Sequence, residues 1–268
     1  VSGRGAERIQ EAFQRCRAEG RGALVTYVMG GDPDVAGSAR MALACVDGGA
    51  DLLEIGVPFS DPIADGPTIQ LAAERALRHR TSPRDCLAVV RAVRRRSQVP
   101  VALMGYLNPL LAAGEGFLAE AAEAGVDALI IPDLLPEESA ELAAGAARHG
   151  LALVFLVAPT STPARVEAAA RAATGFVYFV SVTGVTGARA ELPADLAGKV
   201  AAVRAASRVP VVIGFGVSGP EQAAALGRLA DGVVVGSAIV SRVAAPGPVA
   251  ARAGRVSRFV RTLAKALR

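Results

Sequence analysis

Hydrophobic and polar residues alternate along this chain in two rhythms. Short, nearly continuous apolar runs rich in Val, Ile and Leu recur between longer Ala-rich stretches of helical period, the pattern of buried parallel strands joined by helices. Eight runs read as strands: Ala23–Met29, Asp51–Val57, Val101–Tyr106, Asp127–Pro132, Leu151–Ala158, Phe176–Val182, Val211–Phe215 and Gly232–Val235. Helices are expected around 35–48, 67–79, 83–96, 115–124, 136–149, 163–173, 194–206 and 219–229, with others at both termini. The strand entries repeat. GGADLLEIG, AGVDALIIP and RLADGVVVG share a small-residue approach, an Asp and an apolar strand, while SQVPVALMG and SRVPVVIGF share Val-Pro-Val. Eightfold recurrence of one βα unit favours an α/β fold of the closed (β/α)8 TIM barrel type over an open doubly wound sheet. No GxGxxG follows the first strand, and no linker divides the chain, so residues 1–268 read as a single barrel domain.

Composition agrees with that size and constrains the rest. The 268 residues are 52% hydrophobic, with mean hydropathy +0.39. Yet the longest apolar runs, such as Leu151–Ala158, fall well short of the roughly 20 residues a membrane helix needs. No charged and then apolar leader pattern is seen, and the expected compartment is the cytoplasm. Three cysteines, Cys16, Cys45 and Cys86, lie on helix-like segments without CxxC spacing, which argues against disulfides or a zinc site. The net charge of +4 comes from dispersed arginines. One cluster, Arg91, Arg94, Arg95 and Arg96, reads as a solvated helix end, because no aromatic interleaving marks a nucleic-acid surface.

In a barrel, ligands meet the C-terminal ends of the strands. The segment LEIGVPFSDPIADGPTIQ, residues 53–70, places Glu54 inside an apolar strand and Asp61 and Asp65 in the broken loop after it. A carboxylate in such a strand costs several kcal/mol unless it is compensated, so Glu54 is either half of a buried ion pair with an arginine or a chemical group. Asp61 and Asp65 both sit in turn-like settings that are also compatible with plain turn chemistry. Gly184 to Gly187, Gly214 to Gly216 and Gly236-Ser237 follow strands six, seven and eight, the last opening a short helix. Together they suit a phosphate held by backbone N–H groups. The two lysines, Lys199 and Lys265, stand at no strand end, so a Schiff base is not expected. The two histidines, His79 and His149, fall near helix ends, so a multi-histidine metal site is not expected. What remains is carboxylate acid–base chemistry on a phosphorylated substrate without metal or organic cofactor.

The 53–70 segment resembles the tryptophan synthase alpha subunit family. Further matches are Gly31-Asp-Pro33, Met104-x-Tyr-x-Asn-Pro109, Pro132-Asp133, Ser181-x-x-Gly-Val-Thr-Gly187, Gly214-Phe-Gly-Val-Ser218 and Gly236-Ser-Ala-Ile-Val240. The resemblance implies a (β/α)8 lyase that splits indole-3-glycerol phosphate into indole and glyceraldehyde 3-phosphate in tryptophan biosynthesis. It also implies a beta-subunit partner in an αββα assembly. That partner would receive the indole and hold the pyridoxal phosphate, which this chain would not bind. By position, Glu54 resembles the family's general acid–base and Asp65 the carboxylate that engages the indole nitrogen. Tyr178 resembles a tyrosine beside the catalytic Glu. Tyr27, Met104, Tyr106 and Ile130 resemble the indole-pocket lining, although pattern alone favours plain barrel core for all four. Thr186 resembles a residue that closes the site, and Gly187, Gly216, Gly236 and Ser237 resemble the phosphate-binding positions. Val182-Thr183 and Tyr27 depart from Arg-Ala and Phe found in some members. A stand-alone indole-glycerol-phosphate lyase, a non-catalytic regulatory barrel and an unrelated phosphate-binding isomerase are the competing readings.

Overall fold

The computed structural model describes residues 4–180, 195–214 and 216–268. Eight parallel strands close into a barrel in chain order, each paired with its sequence neighbours and β8 with β1. They are β1 Ala23–Met29, β2 Leu52–Gly56, β3 Val101–Met104, β4 Ala128–Ile130, β5 Ala152–Val157, β6 Val177–Val180, β7 Val211–Gly214 and β8 Gly232–Val235. Among the described residues, the helices are α1 Arg4–Ala18, α2 Val35–Gly48, α3 Pro67–Arg78, α4 Pro83–Arg94, α5 Leu107–Ala112 and α6 Phe117–Ala124. They continue with α7 Ala140–Arg148, α8 Pro163–Ala172, α9 Leu196–Ala206, α10 Pro220–Gly227, α11 Ser237–Ala244 and α12 Val249–Ala266. No helix is long and apolar enough to cross a membrane among these residues.

The eight expected strands all form, several a residue or two shorter because their ends peel into loops. Two helical expectations change. The stretch 136–149 divides into a 3-10 turn, Pro136–Glu138, and α7, because the backbone N–H and hydroxyl of Ser139 both turn back to the Pro136 carbonyl. Helix α5 was unforeseen because Pro109 reads as a breaker. It stands in the first turn, where its missing N–H has no intrahelical partner to lose, and Asp133 accepts the Leu107 N–H at 2.9 Å.

The side-chain alternation of each strand sorts the two cores. Leu53, Ile55 and Val57 join the layer between barrel and helices. The other parity faces the lumen, including Val25, Leu52, Ala102, Ala128, Ile130, Val154, Tyr178, Val212 and Val234. Helix α1 stoppers the N-terminal end of the lumen with Ile9, Phe13 and Cys16, one face of a helix, packed among these residues. Burying Ile9 and Phe13 contributes roughly 1.5–3 kcal/mol each.

The same end explains the repeated Asp. Asp51 donates its backbone N–H to Leu24 O at 2.8 Å and accepts the Leu24 N–H at 2.9 Å. Asp127 does the same with Val101, at 2.8 Å both ways, and Asp231 with Val211, at 2.9 Å both ways. Each Asp thus ties the start of one strand to the start of the strand before it. Each carboxylate is also met by arginines: Arg21 and Arg15 on Asp51, Arg8 and Arg94 on Asp127, Arg17 and Arg204 on Asp231. Arg94 is therefore not part of a solvated cluster, as its sequence setting suggested. Its side chain is largely buried, pairs with Asp127 and donates to the carbonyls of Gly125, Ser97 and Val99, while Arg91, Arg95 and Arg96 stay exposed. Cys16, Cys45 and Cys86 are buried free thiols on three different helices. His79 and His149 end α3 and α7, as expected.

Candidate active site

Glu54 lies at the centre of β2, with lumen parity shared by Leu52 and Gly56. It is fully buried, and neither carboxylate oxygen has a hydrogen-bond partner among the described residues. Among the described residues no arginine pairs with it, so nothing in them supports the ion-pair alternative. Burial without compensation pushes its carboxyl from the usual range up to about 8. A neutral acid at neutral pH is what such a pocket favours.

The register surrounds that carboxyl with aromatic and apolar groups. Tyr27 on β1 is directly opposite Glu54. Gly56 is opposite Met104, and Met104 is opposite Ile130. Tyr178 enters from β6, where it pairs with Leu156 and Val212. Both tyrosines are buried, and their hydroxyls are held well above their ordinary pKa, first by burial and then by the charges of Glu54 and Asp65. The two carboxylates and the two phenols therefore share one electrostatic neighbourhood. Two glycines make room for it. A Cβ on Gly56 would lie 2.0 Å from the Tyr27 hydroxyl oxygen, and one on Gly214 would lie 2.1 Å from the Tyr178 ring. Sequence reading had assigned Gly214 to a phosphate loop and Gly56 to nothing. A clash of this kind leaves no linear signal.

Asp65 sits half-buried on the loop after β2, its N–H bonded to Pro62 O at 3.1 Å and its carbonyl to the Gln70 side chain at 2.9 Å. Burial pushes its carboxyl up to about 6, with the Tyr106 hydroxyl pulling the other way. Tyr106 does more than line a pocket. It caps α5, packs on Phe59 with ring centroids 5.3 Å apart, and accepts the Ala64 N–H at 2.8 Å, bracing the loop next to Asp65. Asp61 is exposed, with its carboxylate turned to the Ser60 hydroxyl.

Gly216, with φ +34°, follows β7, and Gly236 caps α11 without a side-chain acceptor, leaving exposed Ser237 at the first helical position. Thr186 and Gly187, with Val182 to Gly184, lie outside the described residues. Two clefts of about 690 and 520 Å³ open elsewhere, at the α1 end. Their lining includes Arg17, Arg21 and Arg204 in one and Arg8 and Arg15 in the other, arginines already paired with carboxylates, and the acid in the second, Glu11, is exposed where Glu54 is buried. Among the described residues, no three His, Cys, Asp or Glu side chains gather as a metal cluster would.

Comparison with known proteins gives a consistent result. The family model for the tryptophan synthase alpha chain matches residues 13–268. The tryptophan synthase alpha chain of Geobacter sulfurreducens is 54% identical over 234 residues, 87% of this chain and 89% of that protein. That of Rhizorhabdus wittichii is 50% identical over 263 residues, 97% of this chain and 96% of that one. Among solved structures, tryptophan synthase of Mycobacterium tuberculosis superposes with a TM-score of 0.90 at 40% identity, covering 100% of this chain and 99% of that one. The alpha subunit from Legionella pneumophila gives 0.87 at 35%, covering 97% and 98%.

Proposed function

The chain belongs to the tryptophan synthase alpha chain family, and from that premise we propose how its own residues carry the reaction. It is a carbon–carbon lyase that cleaves indole-3-glycerol phosphate to indole and glyceraldehyde 3-phosphate. The observation that carries the residue assignment is Glu54: a buried, unpartnered carboxyl in the lumen with its pKa raised to about 8.

The bond to be broken joins indole C3 to the first carbon of the glycerol side chain. It can break heterolytically only if C3 is first protonated, which makes the ring nitrogen electron-poor. Glu54, protonated at neutral pH, delivers that proton. Asp65, with the lower pKa of about 6, is ionised at neutral pH and accepts the indole N–H, stabilising the positive charge as it develops. Glu54, now a carboxylate, takes the proton from the adjacent side-chain hydroxyl. The oxygen's electron pair closes to the aldehyde as the carbon–carbon bond returns its pair to the ring. One proton leaves Glu54 and one comes back, so the acid is regenerated. Two carboxyls whose environments set their pKa values apart are what this division of labour requires.

Tyr27, Met104, Ile130 and Tyr178 form the apolar walls around the ring, and Tyr106 holds the loop carrying Asp65. The phosphate fits the start of α11 at Gly236 and Ser237, where backbone N–H groups and the helix dipole favour an anion, together with Gly216 and Gly187. Thr186 belongs to the closing segment in this reading, and the whole of 1–268 acts as one catalytic domain of the cytoplasm. No organic cofactor enters the scheme.

Family membership brings a beta-subunit partner, and the finer reading is an αββα assembly in which that subunit holds pyridoxal phosphate and consumes the indole. Among the described residues, Ile63 on the loop after β2, Leu71 on α3 and Leu111 on α5 are the large apolar side chains left exposed, at 86%, 54% and 62%. All three sit on elements that follow β2 and β3, which supports a docking rim beside the mouth of the barrel. The test is indole release from indole-3-glycerol phosphate with and without a beta subunit. Slow release that rises strongly with the partner supports this reading. Fast release indifferent to the partner points to a stand-alone lyase, and no release in either case defeats the catalytic assignment.

A further inference from the structure

Asp65 lies on a loop, yet acid–base chemistry needs it held at a set distance from Glu54. The chain that directly joins them, residues 57–64, contains no helix or strand. A second route between them is built of rigid parts. It starts on β2, where Gly56 O, two residues beyond Glu54, accepts the Gly30 N–H at 2.8 Å. This pins the turn that follows β1. In that turn Asp32, only 3% exposed, receives two hydrogen bonds from one guanidinium, Arg75 Nε at 2.9 Å and Nη2 at 2.7 Å. Arg75 stands in the last turn of α3. The first turn of α3 in turn holds Asp65 through Gln70, whose side-chain amide donates to the Asp65 carbonyl.

The turn and α3 are packed flush as well as paired. Gly31 has φ +82°, and a Cβ there would lie 2.2 Å from Thr81 Oγ1, just past the end of α3. The inner face of α3, Ala72, Ala73 and Ala76, packs with Tyr27, Met29 and Val240 of α11, so α3 also touches the helix assigned to the phosphate. A planar, two-pronged, part-buried contact fixes the position of α3 along its axis in a way that small alanine side chains cannot.

We infer that Arg75 and Asp32 are positioning residues for the cleavage reaction: their bidentate pair closes a ring of rigid connections from Glu54 round to Asp65 and fixes the relative placement of the two carboxylates. Arg75 touches no reacting atom and acts through Asp65. The inference rests on the reading of Asp65 as the group that engages the indole nitrogen.

The test is a double-mutant cycle on the full chain, with indole-3-glycerol phosphate cleavage as readout. Arg75→Met is expected to lower kcat by about 10- to 100-fold with KM changed less than about threefold, since a small misplacement acts on the transition state more than on binding. Arg75→Lys, which keeps the charge but loses the fork, recovers part of the loss and carries the same cycle if Arg75→Met does not fold. In an Asp65→Asn background, either Arg75 substitution is expected to cost less than about threefold further, because the group it positions is gone. Full additivity in that background, near wild-type turnover of Arg75→Met, or a loss confined to KM would each overturn the inference. Near wild-type turnover of Asp65→Asn alone would instead remove the Asp65 reading beneath it, so the two failures are separable.

Discussion

The two ends of this barrel treat buried carboxylates in opposite ways. At the α1 end, Asp51, Asp127 and Asp231 each accept a backbone N–H from the neighbouring strand and meet two arginines. In the upper lumen, Glu54 is buried as deeply as any of them and meets no polar partner among the described residues. Both arrangements involve the cost of dehydrating an acid, but only the first offsets it with partners. The lower acids are held by backbone N–H groups and arginines and serve to tie strands together. The upper one is left unsettled, and that is what lets it give and take a proton.

The sharpest way to break this contrast is to remove the upper acid. Glu54→Gln is expected to lower turnover by at least about 10²-fold while substrate affinity is nearly kept, measured as initial rates of indole release. Near wild-type rates would end its role as the proton carrier. At the lower end the expected effect falls on stability. Asp127→Ala leaves the largely buried Arg94 without its acid and costs about 3 kcal/mol in denaturant unfolding. Its kcat, measured where the chain is still folded, should stay within about twofold of wild type. A large kcat loss at unchanged folding would show that the two ends are not functionally separate.

The pH dependence sharpens the same contrast. Glu54 must hold its proton to deliver it, so kcat/KM is expected to fall about tenfold per pH unit above about pH 8, where the free enzyme's acid ionises. A rate that stays level well past that pH contradicts the assignment. Asp51 behaves oppositely. Burial raises its pKa, but the bonds from Arg21 and Leu24 outweigh that and hold it below the ordinary value. Its contribution to stability is therefore present above about pH 4 and is lost as the medium becomes more acidic than that.

The smallest expected effect concerns the strand pair that lacks an Asp. Between β5 and β6 the position is Thr174, whose N–H donates to Leu153 O at 3.0 Å and whose hydroxyl accepts the Leu153 N–H at 2.8 Å. The four ties, β1–β2, β3–β4, β5–β6 and β7–β8, make the barrel a fourfold repeat of paired units. Thr174→Val should cost about 1 kcal/mol by thermal unfolding, the value of one such bond. No measurable change would mean that water replaces the hydroxyl there.

The strand runs were legible because a parallel sheet buried on both faces must be continuously apolar. Glu54 stood out because it breaks such a run. The three Asp-containing entries were legible as a repeat but not as strand ties, since the tie joins residues 20 to 27 positions apart. Thr174 was hidden because the residue differs while the geometry persists. Arg94 was misread because a run of arginines carries no sign of which one turns inward. Asp32 and Arg75 were each visible, one in a Gly-Asp-Pro motif and the other on a helix, but only the folded chain brings them together. The spaces kept open by Gly56 and Gly214 are likewise properties of neighbours on other strands.

The account turns on Glu54 being neutral and unpartnered when folded. A carboxyl whose folded pKa is near 8, against 4.5 for its ordinary value, lowers stability progressively as pH rises between those values, because the unfolded chain ionises first. The direct measurement is the unfolding free energy of wild type and Glu54→Gln across this pH range. The expected result is that the two converge near pH 4 to 5 and that the Gln variant gains an advantage on the order of 3 kcal/mol at pH 7, growing until about pH 8. A difference that does not change with pH, or a wild type that becomes the more stable as pH rises, would mean that Glu54 is ionised and compensated, and would contradict the account.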